Sequence, residues 1–368
     1  MKNICFVTTT RAEFGLLKPL INEIKISPNF KLKLIVSGTH LSEKFGNTYL
    51  EIESNYDIIK INIMENSNKI NQIICNVFDI FYSKLQKINN QNKIDLLILL
   101  GDRFEILAIT QVAFILGIKI CHLAGGDITK GALDDQFRNA ISQLSDYHMP
   151  FSEESKNNLI KMNIANEKIF LLGNPGLEIF KNFKPILKKK EVINEFNLND
   201  KYILCVFHPE TKNYSNYIKL FFSKIKKFLT ENQHISFLIL KTNCDPGYLD
   251  IIKEINNSFQ FCNQVKFLEN LNRKKYLDIA YHSYFYIGNS SSGIYELPYL
   301  KIPIINVGDR QLGRPLSSNI LQSNFQNISK SLIKVKNNRK KIVSNIKFKY
   351  KIYNSKENFI RFINSIFN

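Results

Sequence analysis

Four short segments of this 368-residue chain concentrate residue types that do chemistry. Thr8-Thr9-Thr10-Arg11-Ala12-Glu13-Phe14-Gly15 sets hydroxyls and their backbone N–H groups just ahead of an arginine. At a strand-to-helix turn such a set suits an anion, and the Arg11 guanidinium can fork onto a phosphate. An N-capped helix with Arg11 in a surface ion pair uses the same residues. Leu100-Gly101-Asp102-Arg103-Phe104-Glu105 places acid, cation and acid where an apolar run stops, and charge there is costly unless it pairs or reacts. A local Asp102–Arg103 pair, with Glu105 in the first turn of a helix, is the plainer account.

The third segment, His122-Leu123-Ala124-Gly125-Gly126-Asp127-Ile128-Thr129, runs on into Gly131-Ala132-Leu133-Asp134-Asp135-Gln136-Phe137-Arg138. Its glycine pair permits close approach of backbone to a ligand. Asp134 and Arg138, four apart, share a face if the segment is helical. The fourth lies in the second half: Phe207-His208-Pro209-Glu210-Thr211, and later Gly288-Asn289-Ser290-Ser291-Ser292-Gly293-Ile294-Tyr295-Glu296. Ser290, Ser291, Ser292 and Gly293 opening a helix make a phosphate cradle of hydroxyls and N–H groups at the positive end of the dipole. Glu296, about one turn on, can accept hydrogen bonds from ribose hydroxyls; a serine-rich N-cap is the plainer account of the same serines. The glycine pattern of a dinucleotide fingerprint is absent, and no cofactor is expected. The six cysteines (5, 75, 121, 205, 244, 262) are scattered, without Cys-x-x-Cys or histidines at zinc spacing, so neither a disulfide framework nor a metal site is expected.

These segments need elements to hold them. Strand-length apolar runs recur at 4–7, 32–36, 96–100, 118–122 and 169–172, and again at 202–207, 235–240, 265–268, 285–287 and 302–307. Runs that are apolar on both faces, separated by amphipathic stretches, predict parallel strands covered by helices. The fold class read from the pattern is α/β, with two Rossmann-like doubly wound domains. A lysine-rich stretch between 181 and 200, carrying Pro185, divides them into 1–182 and 183–368. Apolar residues at helical spacing in 355–368 predict a last helix that docks, with the N-terminal domain as one place for it. In parallel sheets ligands bind beyond the carboxyl ends of the strands, and the four segments follow strands.

Composition narrows the function. A hydrophobic fraction of 44% excludes a disordered chain, and no apolar run approaches the ~20 residues of a membrane-spanning helix. The N-terminus lacks the long apolar stretch of a secretory signal, so a cytoplasmic setting is expected, with no membrane partner. Fifty Lys and Arg against thirty-two Asp and Glu give +18. The lysines are spread among frequent Asn and Ile, and the runs 188–190, 226–227 and 339–341 read as solvated faces. No recognition module accompanies the charge, so no nucleic-acid partner is expected.

Taken together, the segments resemble the UDP-N-acetylglucosamine 2-epimerase family. TTRAEFGLL, SGTHLSEKFGNTYLEIE, GDRFE, HLAGGDITKGALDDQFRNAIS, FHPET, NSSSGIYELP and NVGDRQLGR occur in the family's order and roughly its spacing. The resemblance implies a fold of glycosyltransferase-B type with an interdomain active-site cleft. TRAE, GDRFE, GGD and NSSSG look like the hydrolysing branch, which releases UDP and a free manno-configured sugar through a glycal. Such chemistry needs a base for a weakly acidic C–H, an acid to reprotonate C2, activation of water and cations around a leaving diphosphate.

Carried over residue by residue, the resemblance implies catalytic roles for Asp102, Asp127, Asp134, Arg138 and His208, with Asp102 and Asp134 as proton-transfer candidates. Arg11, Arg103, His208, Ser290, Ser291, Ser292, Gly293, Glu296 and Arg310 match UDP-binding positions. Some relatives carry Glu where this chain has Ala124, and many carry Glu where it has Asp127. Because Ala124 cannot move a proton, that duty passes to Asp127 or another acid. The implied substrate is UDP-N-acetylglucosamine, giving N-acetylmannosamine for sialic-acid-type biosynthesis. The alternative is UDP-2,4-diacetamido-2,4,6-trideoxyglucose, for a legionaminic-type pathway. A glycosyltransferase on the same fold is a more distant alternative, and a homodimer or homotetramer is the implied assembly.

Overall fold

The computed structural model describes residues 1–64, 69–210, 216–242, 247–268 and 271–367; Thr211, Cys244 and Asn368 lie outside the described residues. The chain divides into two units. One comprises Met1–Asp127, Asp134–Glu178 and Ile352–Asn368, the other Ile128–Leu133 and Ile179–Lys351. Two segments therefore depart from a simple division at 182/183, since Ile128–Leu133 counts with the second unit and Ile352–Asn368 with the first.

In the first unit six parallel strands, β1 (Lys2–Thr8), β2 (Phe30–Ser37), β3 (Ile59–Ile61), β4 (Leu96–Leu100), β5 (Ile120–Leu123) and β6 (Tyr147–Met149), stand in the order β3-β2-β1-β4-β5-β6. Alternate residues of each strand serve opposite faces. Ile4 and Phe6 join Leu34, Leu96 and Ile98 in a core with helix Arg11–Ile26, while Cys5 and Val7 join Ile35, Leu97 and Leu99 in another with helix Phe104–Ile115. The terminal helix Ser355–Phe367 completes the first of these cores: the Phe359 ring lies 6.0 Å from Phe6 and the Phe362 ring 4.7 Å from Phe170.

The second unit repeats the plan with β7 (Lys201–Val206), β8 (Ile235–Leu240), β9 (Val265–Leu268), β10 (Phe285–Gly288), β11 (Ile304–Val307) and β12 (Ile320–Ser323), ordered β12-β11-β10-β7-β8-β9 and parallel throughout. In both sheets the first strand of the unit lies beside the fourth, with the other two pairs fanning outward, so each sheet has a topological switch point. In the first unit the loops after β1 and β4 leave that point, and in the second the loops after β7 and β10. The doubly wound α/β class expected from the sequence is the one observed.

One expected strand is not there. Residues 169–172 make a single parallel bridge, Ile169 to His148, instead of a ladder. Phe170 N bonds His148 O and Leu172 N bonds Pro150 O, but Pro150 has no N–H to return, so the pairing cannot become regular.

Candidate active site

At the end of β1 the chain turns into helix Arg11–Ile26 through Thr10, whose hydroxyl accepts from Glu13 N while the Glu13 carboxylate accepts from Thr10 N, each at 3.3 Å. This reciprocal cap satisfies two otherwise orphaned donors. Thr9 and Glu13 are buried by it. Arg11 pairs with Glu51 at 2.8 Å, both side chains substantially exposed. A surface ion pair, one of the two readings of Arg11, forms here, and such pairs contribute at most about 1 kcal/mol.

The loop after β4 carries Gly101 at φ +98, then Asp102, Arg103 and Glu105. Arg103 pairs with Glu105 two residues on, Nε to Oε1 at 2.5 Å. Asp102 pairs with Arg138 of helix Asp134–Leu144. Arg138 is 1% exposed, the largest fully buried side chain of the chain's described residues. Besides Asp102 it reaches Asp127 O at 2.8 Å and Asp135 Oδ1 at 3.5 Å. A guanidinium so enclosed gathers three aspartates of the site. Asp134, half-buried, opens the same helix.

His122 on β5 fixes the loop from behind. Its Nε2 lies 2.8 Å from Gly101 O, which only accepts, so Nε2 carries the proton and Nδ1 accepts from Ser142 Oγ at 3.0 Å. Burial lowers the imidazole pKa to about 3, so the ring is neutral. Ala124 follows at φ +63, then the two glycines. A Cβ on Gly125 would meet Ser142 Oγ at 2.8 Å and His122 Nδ1 at 2.9 Å; on Gly126, at φ +79, it would meet Ser155 O at 2.1 Å. The close approach expected of the pair is therefore to the protein's own chain. It brings Asp127 under Ser155, whose Oγ donates to Asp127 Oδ1 at 2.5 Å. Gly126→Ala is expected to cost about 2–4 kcal/mol, from the left-handed backbone and the overlap together, read as a lower urea midpoint at unchanged slope.

In the second unit the ends of β7 and β10 are tied by a reciprocal pair: His208 N donates to Asn289 Oδ1 at 2.7 Å and Asn289 Nδ2 to His208 O at 2.8 Å. The His208 ring lies with Nδ1 3.1 Å from Thr242 Oγ1. Asn289 O accepts from Gln311 Nε2 at 2.8 Å and Arg310 Nη1 at 3.4 Å, which brings Arg310 to the same end of the sheet as the serines. Glu210, buried, accepts from Asp309 N and Arg310 N at 2.9 and 3.3 Å. Gly308, at φ +75, admits it, since a Cβ there would sit 2.0 Å from Glu210 Oε1.

The serine segment opens a helix, as expected, but a short one. Its helix is one turn, Ser292–Tyr295, because Pro298 cannot continue it and a 3-10 turn follows at Leu297–Leu300. Little dipole accumulates over four residues, so the polar character of the segment rests on its hydroxyls. Ser292 Oγ lies 3.3 Å from Ser290 Oγ and 2.7 Å from Tyr276 Oη. Gly293 packs on the Tyr286 ring. Glu296 accepts from Arg273 Nη2 at 2.6 Å; burial raises its carboxyl pKa and Arg273 opposes the rise. Among the described residues no group of three or more His, Cys, Asp or Glu is placed to hold a metal ion.

Several partners were invisible in the sequence. Ser155 lies 28 residues from Asp127, Arg273 lies 23 from Glu296, and Glu210 lies 99 from Asp309. Only the Ser152-Glu153-Glu154-Ser155 run offered a local signal, that of a helix N-cap.

Two doubly wound parallel sheets with polar loops leaving their switch points define an α/β protein of glycosyltransferase-B type. The crystal structure of UDP-GlcNAc 2-epimerase from Neisseria meningitidis bound to UDP-GlcNAc shares this fold, with TM-score 0.84 over 99% of this chain and 100% of that one at 21% identity. The profile of the UDP-N-acetylglucosamine 2-epimerase family matches residues 22–364, and the chain belongs to that family. A Campylobacter jejuni protein named GDP/UDP-N,N'-diacetylbacillosamine 2-epimerase (hydrolyzing) is 35% identical over 91% of this chain and 87% of its own length. Polysialic acid biosynthesis protein P7 of Escherichia coli is 31% identical over 87% and 82%.

Proposed function

We propose that this protein is a hydrolysing UDP-sugar 2-epimerase. UDP departs from C1 as the C2 proton is removed, giving a glycal; water then adds, oxygen to C1 and hydrogen to C2, with the opposite configuration at C2. The net change consumes one water and yields UDP and a free manno-configured sugar. The observation that carries the reading is the set of aspartates drawn round Arg138 at the switch-point end of the first sheet, in a member of this family.

In this reading Asp102 and Asp134 transfer protons at C2, and Asp127 takes the duty that Ala124 cannot perform. Arg138 holds the Asp102 carboxylate and the backbone of Asp127 in place. His208, Arg11, Arg103, Arg310, Ser290, Ser291, Ser292 and Gly293 serve the diphosphate, and Glu296 the ribose. A diphosphate leaving group gains from convergent cations and N–H donors in proportion to the charge it develops. The substrate of first choice is UDP-N-acetylglucosamine. The name of the C. jejuni relative favours a second reading, a 2,4-diacetamido-2,4,6-trideoxy sugar, which differs by an acetamido and a methyl group against two hydroxyls. A cytoplasmic setting, a nonulosonate pathway and a homodimer or homotetramer belong to the same proposal.

Incubation with each UDP-sugar in D2O, followed by NMR, is expected to give free UDP and a manno sugar carrying deuterium at C2 from one of the two. UDP released only on addition of an acceptor alcohol would make the protein a glycosyltransferase. Protium retained at C2 would remove the glycal.

A further inference from the structure

Glu13 and Glu105 come from the first turns of different helices, Arg11–Ile26 and Phe104–Ile115, and both are more than nine-tenths buried. The Thr9 hydroxyl stands between them, 3.2 and 3.0 Å from Oε1 and Oε2 of Glu13 and 3.2 Å from Oε1 of Glu105. A hydroxyl has one proton to give, and an ionised carboxylate only accepts. Were both acids ionised, one would set its oxygen against the lone pairs of Thr9 at bonding distance, in surroundings where that repulsion is poorly screened. One of the two is therefore a carboxylic acid.

The remaining bonds say which. Glu105 Oε1 receives Arg103 Nε at 2.5 Å, a charge-assisted bond to a carboxylate. Glu105 Oε2 is buried with no hydrogen-bond partner, so a proton placed there would have no acceptor. Glu13 Oε2 accepts from Thr9 N at 2.9 Å and Thr10 N at 3.3 Å, which leaves Oε1 to carry the proton. The bonds then run in one direction: Glu13 Oε1–H to Thr9 Oγ1, Thr9 Oγ1–H to Glu105 Oε1, with Arg103 closing the line. Burial, and then the Glu105 charge, raise Glu13 to about 7, against Arg103 and the Thr9 bonds.

We propose that Glu13, as a carboxylic acid, is a positioning residue for Arg103, acting through Thr9 and Glu105. The inference rests on the UDP-sugar reading only in giving Arg103 a task. The charged and titratable groups of the surrounding segments are Asp102, held by Arg138; Arg11, held by Glu51; and His40. His40 is buried between the Thr8 and Thr48 hydroxyls and lowered to about 4, on the segment whose Thr39 donates to Thr9 O. When Glu13 ionises, two carboxylates compete for the one Thr9 proton, and Glu105 with its guanidinium is displaced.

Glu13→Gln tests this, because an amide keeps the cap, donates to Thr9 as the acid does, and cannot ionise. The kcat/KM for UDP release by the wild type is expected to fall roughly tenfold above about pH 7, and the alkaline limb of E13Q to move up by at least about one unit. Glu13→Ala is expected to lose roughly tenfold at every pH, with Gln restoring it. Superimposable wild-type and E13Q profiles would overturn the proposal.

Thermal unfolding reads the same proton without turnover. The folded state holds it more tightly than the unfolded chain, so this contribution to stability is complete below about pH 4.5 and is lost as pH rises to about 7. The Tm of E13Q should therefore gain on that of the wild type between about pH 5 and about pH 8. Parallel Tm curves overturn the assignment even where UDP is released. Diverging curves in a protein that releases no UDP uphold the acid and overturn the enzymatic reading instead. Where E13Q does not fold, infrared difference spectra of the wild type between about pH 6 and about pH 8 decide, since loss of one buried carboxylic-acid band is required.

Discussion

Arg138→Met is expected to lower the stability of the chain by about 3 kcal/mol, seen as an earlier urea midpoint by circular dichroism. Arg138 is enclosed to 1% exposure, and its ligands include the Asp102 carboxylate, the Asp127 carbonyl and the more distant Asp135 carboxylate. Removing one member of a buried pair costs about 3–5 kcal/mol where the other stays dry. Here the side chains of Asp102 and Asp135 keep 27% and 19% exposure, so water can reach both after the change, and the lower end of that range applies. Methionine preserves volume, which confines the loss to the polar contacts. Lysine should recover less than half, because a single ammonium cannot fork between Asp102 on the β4 loop and the Asp127 carbonyl. A midpoint for Arg138→Met within about 1 kcal/mol of wild type would mean that the aspartates are held by the backbone alone.

How much of this was legible follows from where the physics is local. Strands β1, β4, β7 and β10 are buried on both faces over unbroken apolar runs, and β2 and β8 carry unbroken apolar runs over 34–36 and 237–240. β3, β6 and β12 are three or four residues long, and Lys60, His148 and Gln322 interrupt their apolar character, so no window isolates them. The four polar segments were legible for the converse reason: charge at the end of a buried run needs an explanation. Their internal wiring was not. Thr9 touches Glu105 across 96 residues, and Ser155 touches Asp127 across 28, relations that only the folded sheet creates. The glycines taken as an opening for a ligand are required by Ser142, His122 and Ser155. Pro298, by contrast, was in plain sight and sets the one-turn length of the serine helix.

Asp102→Asn is expected to cut the rate of UDP release by about 10³-fold while changing UDP affinity by less than about threefold. Asparagine retains the shape of the side chain and an oxygen that can accept from Arg138, so the buried guanidinium keeps a partner and the fold is spared the larger penalty. What is lost is a carboxylate. In the proposed reading Asp102, paired with Arg138, is the base that takes the C2 hydrogen. Elimination and hydration are successive, so the two proton-transfer roles leave different traces. A variant lacking the base makes neither UDP nor glycal. A variant lacking the acid that reprotonates C2 releases UDP and accumulates the glycal, visible as a new olefinic proton in the NMR spectrum. Asp102→Asn should show the first pattern and Asp134→Asn the second. Glycal accumulating in Asp102→Asn would exchange the two roles, and Asp127→Asn showing the second pattern would give Asp127 the duty that Ala124 leaves open. Loss of UDP affinity in Asp102→Asn, with turnover otherwise intact, would make Asp102 a partner for Arg138 and nothing more.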